Sequence, residues 1–309
     1  MTMDTEQFSI RQLSEISGVN AVTLRAWERR YGLLKPQRTS KGHRFYTQED
    51  VEKIRQIMNW LDRGVAISKV RPLLDKDQEP GASAVAEQTD SHWQDTINRT
   101  LELVTQFQRE KLEQQLNELF GNYPLDTLNS NYFLPVQTAL DRASQLRFGG
   151  SAEKIFFASE LRADLMSRIR HNNSNNHGMP LLLIAVDGHQ HGIQALLLAL
   201  ALLEAGYRLH LLFEACNLRE IPYIIEQYKA SSSNTIGAVI CHSNSKPDIL
   251  QAEQELVRAA NHAHVPFLLG GDWLAITPSI SELSGITTLP PVLRTAVSTI
   301  GHLLKGEAP

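Results

Sequence analysis

Two short stretches hold most of the side chains that could do chemistry. Residues 21–46 carry seven Lys/Arg and a single acid, Glu28. A guanidinium presents paired donors in a rigid plane, which suits guanine edges and phosphate oxygens. Arg25, Arg29 and Arg30 fall largely off the apolar face set by Leu24 and Trp27, and Arg38, Lys41, His43 and Arg44 follow in a Pro/Gly/Ser-containing segment. The second stretch is DGHQHG, residues 187–192. Asp187, two residues before His189, can accept one ring proton and leave the other nitrogen as a metal ligand. Gly192 would leave room for a large flat ligand, and Gly270–Gly271 would open backbone space nearby. The plainer alternatives are a solvated basic face and a polar surface turn; His191 is read as solvated.

The elements needed to hold these residues are legible around them. IRQLSEISG (10–18) and AVTLRAWERRYG (21–32) predict two helices with a tight turn between them. LLKPQRTSKGHRFY (33–46) predicts a β-wing, TQEDVEKIRQIMNWLDRG (47–64) a long capped helix, and AISKVRPLL (66–74) a short one. That order is a winged helix-turn-helix, whose second helix fits a DNA major groove. Residues 76–91 are polar and read as a linker; residues 92–172 read as a helical bundle interrupted at NYPLD (122–126) and RFGGS (147–151). From 180 to 309, strands at 181–186, 208–213, 236–241, 266–270 and 286–289 alternate with helices near 191–205, 217–230, 248–262 and 291–304. This is the pattern of a doubly wound parallel sheet. DGHQHG then falls at a strand's carboxyl end, where open α/β sheets bind ligands.

Composition narrows the class. The 309 residues are 42% hydrophobic and 21% charged, ordinary for a globular protein of two or three domains. IQALLLALALLEAG (193–206) contains Gln, Glu and Gly and fits a buried helix better than a membrane span. The polar, acidic start is no signal peptide, so a cytoplasmic location is expected. Cys216 and Cys241, with no CxxC, argue against a disulfide framework or thiolate metal site. Residues 1–75 hold 13 Lys/Arg against 9 Asp/Glu, whereas the remainder holds 17 against 25. A basic head on an acidic body is expected when one end touches phosphates. No acid/base constellation points to an enzyme.

The stretch VTLRAWERRYGLLKPQRTSKGHRFYTQEDV (22–51) resembles the DNA-binding domain of the MerR family, in the form shared by CarH-, LitR- and MlrA-type regulators. The resemblance implies that Thr23, Arg25, Arg29, Arg30 and Tyr31 belong to the recognition helix and Arg38, Lys41, His43, Arg44 and Tyr46 to the wing. It implies promoter double-stranded DNA, RNA polymerase at that promoter, and a homo-oligomer of at least two copies as partners, with no membrane. Asp187, His189 and Gly192 match the DxHxxG pattern of cobalamin-binding domains, and Gly270–Gly271 their later GG. That implies a flavodoxin-like domain with His189 on the cobalt of cobalamin, and Ser243 or Ser245 serving the family's Ser motif. Light-sensing members carry a Trp…Glu-His pattern in the bundle; here Glu160 is present and Leu161 stands in place of the His.

The reading is therefore a DNA-binding transcription regulator with a winged head at 1–75, a bundle at 92–172 and a cobalamin-binding-type domain at 180–309 that senses a ligand. One alternative keeps the C-terminal fold as a protein-interaction module without cofactor, as in MlrA-like biofilm regulators that answer a signalling protein. Another is a corrinoid-dependent enzyme or methyl carrier.

Overall fold

The computed structural model describes residues 7–39, 42–74, 82–186, 192–230, 235–243, 249–272 and 285–306. They fall into two compact units, residues 1–160 and 161–309.

The first unit opens with the winged head. Helix α1 (Ile10–Ser17) starts at a capping box, Ser9 with Gln12, and stops at Gly18. Helix α2 (Ala21–Ala26) is capped by the Asn20 side chain, which accepts from Val22 N–H at 2.8 Å. It runs on as a π-helical turn, Trp27–Tyr31, that ends at Gly32. The sequence had suggested one uniform helix through residue 32; the added residue per turn re-aims Arg29, Arg30 and Tyr31 relative to Arg25. Strands β1 (Gln37–Arg38) and β2 (Arg44–Phe45) pair antiparallel and form the wing. Phe8 and Tyr46 extend it by exchanging two backbone hydrogen bonds of 2.8 Å. Helix α3 (Gln48–Asp62) begins where Asp50 accepts from Thr47 N–H at 2.9 Å. Helix α4 (Ile67–Leu74) completes the head. Its core holds Leu13, Leu24, Trp27, Tyr46, Ile54 and Ile57, none of them exposed.

The bundle follows: α5 (Ala82–Thr105), α6 (Arg109–Asn122), α7 (Leu125–Leu128), a second π-helical turn (Asn129–Phe133), α8 (Leu134–Leu146) and α9 (Gly150–Asn175). The expected breaks at NYPLD and RFGGS fall between helices, at Tyr123–Pro124 and Arg147–Gly149. The expected linker is shorter than its polarity implied, because residues 82–91 belong to α5. Small and amide side chains there satisfied a composition rule for linkers while still tolerating helix. Inside the bundle, Thr100 Oγ1 lies 2.8 Å from the Tyr132 hydroxyl and accepts from Gln115 Nε2 at 2.7 Å.

The second unit contains a five-stranded parallel sheet of β3 (Pro180–Ala185), β4 (Arg208–Leu212), β5 (Ala238–Ser243), β6 (Phe267–Gly271) and β7 (Ile286–Thr288), in the order β4-β3-β5-β6-β7. This is the flavodoxin-like order. Helices α10 (Ile193–Glu204), α11 (Ile221–Ala230), α12 (Ile249–Ala263) and α13 (Leu293–Lys305) connect and follow the strands. Eight residues of α10 are buried, as an apolar helix enclosed in a layered core must be. The end of α9 pins the sheet edge: Asn173 and Leu209 exchange hydrogen bonds of 2.8 and 2.9 Å. Among the described residues no helix is long and apolar enough to cross a membrane.

Candidate functional site

Along α2 and its π-helical turn, side chains sort by face. Leu24 and Trp27 are wholly buried, and Thr23 is 3% exposed. Val22, Arg25 and Arg29 form an exposed stripe. Three- and four-residue spacing puts them in one row, the geometry for entering a groove. Arg30, also exposed, turns elsewhere and donates to the Asn122 Oδ1 of α6 at 3.2 Å. Tyr31 is half-buried, its hydroxyl pKa raised chiefly by burial, opposed by Arg30 and reinforced by Glu118.

The wing is tied to this helix by Glu28. Its carboxylate accepts from Arg44 Nε at 3.0 Å and from the Tyr46 hydroxyl at 3.4 Å. Tyr46 is fully enclosed, and burial followed by the Glu28 charge pushes its pKa up to about 12. Thr23 and Tyr46, both expected at DNA, are thus shut away from solvent, and their places are those of supports for the exposed arginines. Glu28 is the residue that sequence reasoning passed over. As the lone acid among seven basic residues it carried a signal, since an isolated carboxylate in a cationic stretch is placed where it can pair. Arg38 donates to Gly42 O at 3.2 Å across the wing tip, beside the exposed His43. Lys41 lies outside the described residues.

The second cluster sits at the carboxyl edge of the sheet. Chain order reverses between β3 and β5, the switch point where such sheets take ligands. The described part of the turn after β3 places Gly192 at the start of α10, where its carbonyl accepts from Leu196 N–H at 3.0 Å. Asp187, His189 and His191 lie outside the described residues, as does Ser245. Ser243 pairs in register with Gly271, and His242 with Gly270. Ser243 is 2% and His242 6% exposed. A Cβ on Gly270 would stand 2.9 Å from His242 Cδ2 and 3.6 Å from both Leu198 and Leu289. Gly270 therefore makes room for an imidazole of this chain. Gly192 is buried at the helix start, and the space over Gly270 does not fit a bound corrinoid, because His242 fills it. In the bundle, Glu160 pairs with Arg109 at 3.0 Å and Leu161 is fully buried. Burial raises the pKa of both Cys241 and Cys216, which keeps the two thiols protonated. Among the described residues no cluster of His, Cys, Asp and Glu could hold a metal ion.

Residues 8–77 match the family of MerR HTH family regulatory proteins. Residues 8–77 are a MerR-type helix-turn-helix domain. Around this MerR head the chain is 38% identical over 133 residues to the HTH-type transcriptional regulator MlrA of Salmonella typhimurium, covering 43% of this chain and 51% of that one. It is 42% identical over 84 residues to the HTH-type transcriptional repressor CarH of Myxococcus xanthus, covering 27% and 28%. The chain spans about half the length of the MlrA relatives it matches. A solved structure of a novel cobalamin-binding protein from Desulfitobacterium hafniense aligns with 67% of this chain at 12% identity and a TM-score of 0.31, covering 98% of that protein.

Proposed function

We propose that the protein is a transcription regulator that grips promoter DNA through its MerR head and takes its signal at the C-terminal sheet. One observation carries the reading: Arg25 and Arg29 stand exposed in a row on the second helix of a winged helix-turn-helix, with the basic wing braced beside them by Glu28. Arg25 and Arg29 read the major groove, and Arg38, Lys41, His43 and Arg44 meet phosphates. Two copies bind one near-palindromic site, as symmetric operators demand, in the cytoplasm and alongside RNA polymerase.

The test is binding of the purified full chain to fragmented genomic DNA, followed by titration of the enriched sites. Arg25→Ala and Arg29→Ala should each cost about 1–3 kcal/mol at the enriched site, the worth of a bidentate base contact. Equal affinity for enriched and random duplexes at moderate salt would end this reading.

For the signal, the DxHxxG pattern points to a corrinoid, which the His189 ring would hold while Asp187 would fix its tautomer. The bound group would supply a large flat surface and a coordination change at cobalt. A second reading, an interaction module that works without cofactor, is favoured by the His242 ring seated over Gly270. Adding cobalamin to the protein and to His189→Ala separates them. A visible-spectrum change lost in the variant supports the corrinoid, and identical spectra remove it. A ligand of either kind acts only through unequal affinity for two states of the protein.

A further inference from the structure

The recognition helix has two occupied flanks. One packs into the head. The other lies on the bundle, where α2 packs against α6, while the π-helical turn also packs against α4 of the head. The Trp27 indole Nε1–H donates to the Asn122 carbonyl at 2.9 Å, and the Arg30 guanidinium donates to the Asn122 side-chain oxygen at 3.2 Å. A third tie lies beside them. The Tyr123 hydroxyl accepts from Ile67 N–H at 3.4 Å and lies 3.0 Å from His92 Nε2, and its ring packs tilted against Trp93 with centroids 4.9 Å apart. Arg30 also faces an open cleft of about 360 Å³ lined by Glu110, Glu113, Gln114, Asn117 and Glu118. Three carboxylates thus stand beside a helix whose free side is cationic.

This geometry opposes DNA. A major groove is about 12 Å wide and a helix with its side chains 10–12 Å across, so a seated helix leaves little space on its flanks. Helix α6 occupies one flank over the last turn and brings carboxylates toward the phosphate wall, where like charges repel. We propose that Asn122 and the acidic face of α6 form an autoinhibitory latch that holds the C-terminal half of the recognition helix on the bundle, and that full seating on DNA requires its release. The latch rests on the reading of the head as a DNA binder. It makes the measured affinity the intrinsic one multiplied by the released fraction, so any signal that loosens α6 raises occupancy of the promoter.

The experiment uses the full chain and a genomic duplex enriched by it. Asn122→Ala removes the acceptor for Arg30 without changing net charge and should tighten binding roughly fivefold, the scale of one ordinary solvent-exposed hydrogen bond. Glu113→Gln and Glu118→Gln, made singly, should each tighten it too, and more than Glu102→Gln, an exposed acid on the neighbouring helix that controls for the same one-unit change in net charge. Affinity equal to wild type in Asn122→Ala, or an equal gain from the Glu102 control, overturns the latch. Hydrogen exchange on the unaltered protein gives a second reading should a variant fold poorly. On adding DNA, amides at 118–124, which the DNA does not cover, should exchange faster; unchanged or stronger protection there also overturns it. If no form of the chain prefers any duplex, the DNA-binding reading itself has failed. Binding by wild type with no effect of the variants removes the latch alone.

Discussion

At the scale of single residues, the head shows how one carboxylate ties a wing cation to an enclosed phenol. Glu28 meets Arg44 and the enclosed Tyr46 hydroxyl together, so its removal leaves a buried phenol without that acceptor. Arg44 is about half exposed, so its ion pair contributes little and the Tyr46 bond contributes more. Glu28→Ala should cost about 1–2 kcal/mol in urea denaturation. Because it also removes a negative charge and frees Arg44, it should raise affinity for random duplex; unaltered stability would show that the carboxylate does not brace the wing. In the bundle, Thr100→Val removes the hydroxyl shared by Tyr132 and Gln115 deep in the core. The same measurement should register a loss of about 1–3 kcal/mol, since the shape is kept and only the polar partner is lost. A valine variant as stable as the wild type would show that this bond contributes nothing net.

At the scale of elements, the α8–α9 corner is set by contact between backbones. RFGGS was legible as a break, but not as a close approach. A Cβ on Gly150 would lie 2.2 Å from the Ala143 carbonyl oxygen, with no flexible side chain to give way. Arg147 then reaches forward and donates to Glu153 Oε1 at 2.7 Å, tying the corner to the first turn of α9. Gly150→Ala should therefore destabilise the unit by about 1–3 kcal/mol, the usual cost of forcing volume into a packed site. Retained stability would mean that the helices can part there. Helix α5 teaches the opposite lesson. Residues 82–91 looked like linker because they lack large apolar groups, yet helix needs only tolerable propensity and a neighbouring helical segment to extend.

At the scale of the whole molecule, charge and protonation set two expectations. The basic head against an acidic remainder predicts steep salt dependence of DNA binding. Arg38→Ala should flatten the log–log slope by roughly 1 if Arg38 neutralises one phosphate, and an unaltered slope would exclude it from the contact. Protonation acts on stability. Burial is the first cause that lowers the pKa of His92, with Lys69 next, and burial followed by Arg208 does the same for His210. Both are held neutral in the folded chain while the unfolded chain titrates near about 6.5. The folded state therefore binds fewer protons, and this stability is present above the unfolded pKa and lost as pH falls toward the folded values. Melting temperature should drop between pH 7.5 and 5.5, and His92→Gln should flatten the profile. An equally steep profile in His92→Gln would clear His92 of that role.

The sequence alone determined the order of architectures, the winged head, the parallel sheet and the positions of two candidate stretches along them. Periodicity, caps and charge are local, so they survive in one dimension. The five sheet strands fall within about two residues of where apolar runs placed them. Tertiary structure decided what each candidate residue faces. It enclosed Thr23 and Tyr46, aimed Arg30 at Asn122, and set the His242 ring over Gly270. Those outcomes depend on partners 18 to 92 positions away for Tyr46 and Arg30. The physical reason is that a side chain's exposure is fixed by what packs against it, and packing joins residues whose separation along the chain carries no pattern.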